Sequence, residues 1–129
     1  MTSMKQRLKV FFDGGCRPNP GPIEAAVVIR GQTHFFDDLG TGSSTDAEWS
    51  ALFCAVRLSL GLGVPHVILM GDSIEVMRQA SAVVATAMAA SAHGETLLSL
   101  LRPGTALSVR WIKREQNLAG IALEARHRR

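Results

Sequence analysis

Tyrosine is missing from this 129-residue chain, and all aromatic residues together make up 5% of it. Stacked rings therefore cannot dominate the core, which must be filled by aliphatic side chains and alanine. Cysteine is nearly as scarce. The two present, Cys16 and Cys54, form no metal-ligand spacing; Cys54 lies among Ala51, Ala55 and Leu58 and reads as a small core residue, Cys16 as a loop residue. His34, His66, His93 and His127 show no ligand spacing either. Long apolar runs are also lacking. The opening MTSMKQRLKV holds no hydrophobic segment of the signal-peptide kind, and the uncharged stretch from Gln79 to His93 is too rich in Ala and Ser to cross a bilayer. The expectation is a soluble, cytoplasmic monomer.

What is present suits a globular protein. The apolar fraction is 47%, which argues against disorder, and the length predicts one domain over residues 1–129. Net charge is +3 and the pI about 9.4, a mild bias toward polyanionic partners. Half of the 14 Lys and Arg residues lie from Arg102 onward: Arg102, Arg110, Lys113, Arg114, Arg126, Arg128 and Arg129. Such a basic end is either a footprint for phosphate or an ordinary solvated tail.

Leu8 to Phe12 reads as a strand that closes on Asp13, with a turn at Gly14-Gly15. The following CRPNPGP excludes regular structure. Ala25–Arg30 and Thr33–Asp38 read as two strands joined by a type II′ hairpin at Gly31-Gln32. From Ala47 the period changes: Trp49, Leu52, Phe53, Val56 and Leu60 share one helical face, ended by Gly61, Gly63 and Pro65. Val67–Met70 is an unbroken apolar run before Gly71-Asp72, the pattern of a buried central strand. Helices follow over Ser73–Ala82 and Thr86–Leu101, then a strand marked by Leu107, Val109 and Trp111. Leu118, Ile121, Ala122 and Ala125 form the apolar stripe of a last helix. Trp49 and Trp111 are expected in the core. The order β-β-β-α-β-α-α-β-α implies an antiparallel meander and parallel crossovers, a mixed sheet covered by helices.

Three acids stand out by position. Taken singly, Asp13 suits a turn, Glu48 completes a capping box with Thr45, and Asp72 caps the next helix. Taken together, Asp13 and Asp72 end two neighbouring parallel strands, where open α/β sheets place their ligand sites. Glu48 lies in the first turn of the helix that feeds the second of those strands. Converging there, the three would repel one another unless a cation is present, and an all-oxygen set points to Mg²⁺ or Mn²⁺.

Four segments then match one family in order. Phe12-Asp13-Gly14-Gly15 with Asn19-Pro20-Gly21-Pro22 resembles the first-strand signature of type 1 ribonucleases H. Ala47-Glu48-Trp49-Ser50-Ala51-Leu52 resembles their A-E-aromatic-x-A-L helix start. Asp72-Ser73 with Val76 and Gln79 resembles D-S-x-x-V-x-x-Q, and Val109 to Asn117 resembles the fifth strand and its R-E-x-N turn. The resemblance covers Leu8 to about Leu123. It implies an RNase H-like fold with a five-stranded mixed sheet, three strands antiparallel and then two parallel. It also implies metal-dependent hydrolysis of the RNA strand of RNA–DNA hybrids, with two ions roughly 3.5–4 Å apart held by Asp13, Glu48 and Asp72, and Asp13 bridging them. Gly14, Gly15, Arg17, Asn19, Ser44, Thr45, Gln79, Arg114 and Asn117 are the expected substrate contacts, and 2′-hydroxyl groups in the minor groove would mark the RNA strand.

Two positions depart from the pattern. The family carries a fourth acid four residues after the Asn of its last motif; here that residue is Ile121, with Asn117 or Glu124 as the available substitutes. Ser44-Thr45 replaces a pair of Asn before Glu48, and hydroxyls reach less far and offer fewer donors. The basic helical protrusion of some members has no counterpart. The leading expectation is a hybrid-cleaving endonuclease of reduced activity. Its rival is a hybrid- or duplex-binding domain that keeps the fold without turnover, and behind both stand a 3′-exonuclease and an unrelated metal-binding regulator.

Overall fold

A computed structural model describes residues 7–128. The sheet has the order β3-β2-β1-β5-β6, formed by β1 (Arg7–Cys16), β2 (Gly21–Ile29), β3 (Gln32–Phe36), β5 (His66–Gly71) and β6 (Ala106–Trp111). β1 runs antiparallel to β2 and parallel to β5; β2–β3 is antiparallel and β5–β6 parallel. This is the expected five-stranded mixed sheet. A two-residue strand that the sequence did not announce, β4 (Thr41–Gly42), adds to the start of β2.

Alternation decides which side chains meet which layer. Leu8, Val10 and Phe12 of β1 and Ala25, Val27 and Ile29 of β2 face the main core, with Val67, Leu69 and Leu107 from β5 and β6. That face is covered by α1 (Ser44–Gly61), α2 (Ile74–Thr86) and α3 (Ala92–Leu100) through Trp49, Leu52, Val56, Val76, Met77, Val83 and Leu97. Cys54 is buried in this core as expected. The opposite face of β2 presents Ala26 and Val28 to Ala119 and Leu123 of α4 (Leu118–His127).

Several boundaries differ from the sequence reading, each for a physical reason. Gly14-Gly15 is not a turn: β1 runs on to Cys16, paired with β2 from Val10 to its end. Cys16 is thus the last strand residue rather than a loop residue. The hairpin turn is Arg30-Gly31, not Gly31-Gln32. Ile29 pairs with Gln32, and φ is positive at both Arg30 (51°) and Gly31 (77°), the type I′ signature rather than II′. α1 is capped by Ser43 with Asp46, not by Thr45 with Glu48: Asp46 N donates to Ser43 Oγ at 3.2 Å and Ser43 N to Asp46 Oδ2 at 2.9 Å. Ser73, not Asp72, caps α2. Glu48 and Asp72 are thereby free of capping duty. α2 outlasts its predicted end, and Ala87, left-handed at φ 56°, breaks the chain before α3, which starts at Ala92 rather than Thr86. The stripe predicted for α4 is out of phase. Ala119, Gly120 and Leu123 are buried, while Leu118 and Ile121 are each 47% exposed. Trp111, expected in the core, is 46% exposed.

Gly14 lets β1 approach α1 closely. A Cβ there would sit 2.0 Å from the Ala47 carbonyl oxygen and 2.4 Å from its carbon, both backbone atoms. Gly14→Ala should therefore force the strand from the helix and destabilise the fold by about 1–3 kcal/mol in chemical unfolding. Gly61→Ala, whose added Cβ meets nothing, should be neutral or slightly stabilising. Equal stability of the two variants would contradict this close approach.

Candidate active site

Register brings the acids together. Phe11 pairs with Met70 across β1 and β5, so Asp13 and Asp72, each two residues further on, emerge side by side at the carboxyl edge of the sheet. Glu48 enters from the second turn of α1 and accepts a hydrogen bond from Gly14 N through Oε1 at 3.0 Å. One carboxylate oxygen from each of Asp13, Glu48 and Asp72 lies within 4.8 Å of the others. At an effective dielectric near 20, two full charges at that separation repel by roughly 3 kcal/mol.

Burial sharpens the conflict. Asp13 is 2% exposed, and burial drives its carboxyl pKa above the usual range despite the opposing pull of a Glu48 hydrogen bond and the Arg114 charge. Glu48 is pushed up to about 9, first by burial and then by the charge of Asp13. Its Oε2 faces no hydrogen-bond donor. Without a cation the consistent arrangement is therefore a protonated Glu48 that donates to Asp13.

Neighbouring groups supply the remaining compensation. Arg114 Nη1 lies 3.1 Å from Asp13 Oδ1 and 3.3 Å from Asp72 Oδ2. Desolvation works against the guanidinium, but Asp13 and Asp72 outweigh it and raise the Arg114 pKa. Asn117, fully buried, donates from Nδ2 to Asp72 Oδ2 at 2.8 Å and to the Phe12 carbonyl at 3.0 Å. Its Oδ1 caps α4 by accepting from Ala119 N at 3.1 Å. Asn117 therefore holds Asp72 in place; it is sealed from substrate, and its amide oxygen is engaged as a cap rather than offered to a metal. Trp111, missed as a site residue because it read as core, donates from Nε1 to the Asp72 carbonyl at 3.0 Å. Gly120 was missed as well: a Cβ there would lie 3.5 Å from the Asp13 carboxylate.

The other expected contacts divide. Gly14, Gly15, Arg17 and Arg114 line a small cleft of about 70 Å³ beside Asp13, with Glu24 and Glu124. Glu124 is thus near the trio, yet the metal-type cluster among the described residues consists of Asp13, Glu48 and Asp72 alone. Asn19 latches its loop to α1, accepting from Ser44 N at 3.1 Å and donating to Ser44 Oγ at 3.3 Å. Thr45 is exposed in the same first turn. Gln79 does not join the site. It bonds Glu75 at 3.2 Å and lines a groove with Val83, Met88 and Gly94, between α2 and α3. The basic carboxyl-terminal footprint is partly spent inside the fold: Arg126 pairs with Glu24 and Asp37, as Arg114 does with Asp13 and Asp72. Arg129 lies outside the described residues.

A raised carboxyl pKa has a definite sign in stability. Between about 4.5 and 9 the folded state keeps a proton on Glu48 that the unfolded chain releases, so metal-free protein should lose stability as pH rises through that window. Asp13 adds in the same direction. Asp37 and Asp46, both lowered from 3.8, act oppositely and only at lower pH. Glu48→Gln keeps an oxygen acceptor for Gly14 N and removes the titration. In chelator, its thermal unfolding should be flatter than wild type from pH 5 to 9 and higher at the alkaline end; parallel curves would show that Glu48 titrates normally.

The reverse transcriptase-like family matches residues 11–127. Ribonuclease HI of Halobacterium salinarum is 32% identical over 78 residues, which cover 57% of this chain and 39% of that protein's length. The crystal structure of RNase H1 from the same archaeon superposes with a TM-score of 0.66 at 23% identity, covering 92% of this chain and 98% of that one. LC11-RNase H1 in complex with RNA/DNA hybrid gives a TM-score of 0.65 at 26% identity, over 86% and 88% of the two chains. A compost-derived structure of the same LC11-RNase H1 gives 0.67 at 24% identity, over 94% and 98%. With nearly its whole length matched and the strand order and acid trio in place, this chain belongs to the reverse transcriptase-like family of ribonuclease H-like proteins.

Proposed function

We propose that the chain is a divalent-metal-dependent endonuclease that hydrolyses the RNA strand of RNA–DNA hybrids. The observation that carries the reading is the convergence of Asp13, Glu48 and Asp72, whose oxygens lie within 4.8 Å of one another, on a fold shared with ribonucleases H, one of them bound to such a hybrid. The residues fit Mg²⁺ or Mn²⁺: the donors are all carboxylate oxygens, and Glu48 Oε2 is buried without a donor partner. Bound there, the ions would polarise the phosphate, activate water and stabilise the leaving oxygen. Asp13, the most buried of the three, would hold the metal together with Glu48 and Asp72.

The chain's own groups then divide the remaining work. Asn117 and Trp111 fix Asp72, so its carboxylate keeps its bearing through turnover. Arg114, 57% exposed and paired with the Asp13 and Asp72 carboxylates, would become available to a phosphate once a bound cation neutralised them. Arg17 and the Gly14-Gly15 backbone line the cleft beside Asp13, and the Ser44-Thr45 end of α1 faces the RNA strand through hydroxyls.

Ile121 supports a second reading, a hybrid- or duplex-binding domain with impaired turnover. It stands four residues after Asn117, where the resemblance expects an acid, and its 47% exposure places it at the surface rather than in the α4 stripe. One assay separates the readings. With Mg²⁺ or Mn²⁺, labelled hybrid should be cut in its RNA strand, double-stranded DNA should not, and Asp13→Asn should lose cutting by about 10³-fold or more. Ile121→Asp should raise the rate and lower the metal concentration required. Hybrid bound tightly but left intact by both wild type and Ile121→Asp would favour the binding domain, and full cutting by Asp13→Asn would remove the trio from the chemistry.

A further inference from the structure

The side chains of β1 that point away from the main core are Arg7, Lys9 and Phe11, alternating with Leu8, Val10 and Phe12. On this second face α4 covers Ala26 and Val28. The part toward β5 and β6 holds a small apolar patch of Ile68, Met70 and Ile112 with Phe11 against it. Register sets Lys9 beside Ile68 and Arg110 beside Met70. A groove of about 650 Å³ opens at the amino-terminal end of these strands, lined by Arg7, Lys9, Phe11, Arg30, Val64 and Pro65. It is far larger than the cleft beside Asp13.

The charges of this groove are uncompensated. Among the described residues no carboxylate lies within ion-pair distance of Arg7, Lys9, Arg30 or Arg110, whereas Arg78 has one and Arg114 and Arg126 have two each. Among the described residues no acid lines the groove. Exposed cations converging on a concave, partly apolar floor match a polyanion that also presents flat apolar faces. An unpaired nucleic-acid strand has both, since its phosphates follow the cations and its bases can lie on Phe11 and Pro65. A duplex hides its bases and offers a convex outline to a groove of this size.

We infer that this groove binds single-stranded nucleic acid, at a surface separate from the acid trio. Counting along β1 at about 3.3 Å per residue, Lys9 and Arg7 stand roughly 13 and 20 Å from Asp13. The inference needs no hydrolytic activity and goes beyond the proposed cleavage. An unpaired overhang of a hybrid, or a displaced strand, could be held here while the duplex occupies the other edge of the sheet.

The test uses the intact chain in chelator, so that no cation bridges phosphate to the acid trio. Fluorescence anisotropy with labelled mixed-sequence single-stranded DNA and RNA of about 12 nucleotides is followed across a salt series. Each phosphate contact contributes about 0.7 to the logarithmic salt slope of a single strand. Replacing Arg7, Lys9 and Arg30 by Gln together should therefore flatten the slope by about 2 and weaken binding at low salt by about tenfold or more. Replacing Arg57, Arg78 and Arg102, a net-charge-matched set elsewhere on the surface, should leave both within about twofold. Lys9→Gln alone, with an unchanged melting curve, should give about a third of the slope change. Equal losses in the two triple variants would reduce the effect to net charge and overturn the inference, as would no loss in either. Wild-type binding to vesicles containing anionic phospholipid but not to oligonucleotide would assign the groove to a membrane and overturn it too. Hybrid cutting by wild type and Asp13→Asn is read separately, so either proposal can fail without the other.

Discussion

Two carboxylates buried against each other, with a third beside them, cannot all carry charge in a low-dielectric pocket. Much of the surrounding architecture answers that constraint. The backbone N–H of Gly14 reaches Glu48 because a strand without a Cβ passes flush against α1. Arg114 reaches across from the turn after β6 to neutralise Asp13 and Asp72. Asn117 spends one end of its amide on Asp72 and the other on the start of α4, which ties the helix to the acid. α4 is seated close by: a Cβ at Gly120 would lie in van der Waals contact with the Asp13 carboxylate, 3.5 Å away.

The trio and the strand order were legible in the sequence because they rest on local patterns. Alternation marked the strands, the apolar run Val67–Met70 marked the central one, and Asp-Gly and Gly-Asp at strand ends marked the edge where ligands gather. The cap of α1 was not legible. Thr45 with Glu48 and Ser43 with Asp46 offer similar spacing, and only the tertiary demand on Glu48, which must reach Gly14, selects the second pair. The hairpin slipped by one residue for a related cause. A glycine-first rule favours Gly31-Gln32, whereas β2–β3 pairing fixes Ile29 opposite Gln32 and forces Arg30 into positive φ.

The α4 end of the molecule was hardest to read. Leu118 and Ile121 look like a buried stripe, but the helix seats through Ala119, Gly120 and Leu123, because small residues allow a closer approach to the sheet than bulky ones. The rotation carries Ile121 outward. Arg114 and Arg126, which look like free phosphate contacts in a basic tail, pair instead with Asp13 and Asp72 and with Glu24 and Asp37. Among the described residues Arg7 and Lys9 have no ion-pair partner, on a strand face to which no motif in the sequence drew attention.

Proton release on metal binding tests the central constraint most directly. Calorimetric titration of Mn²⁺ into metal-free protein at pH 7, repeated in buffers of different ionisation enthalpy, counts the protons expelled as the cation enters. A trio that holds Glu48 protonated, at a pKa of about 9, predicts close to one proton released per chain, and loss of that release in Glu48→Gln. Binding with no proton released, or the same release from Glu48→Gln, would contradict the account.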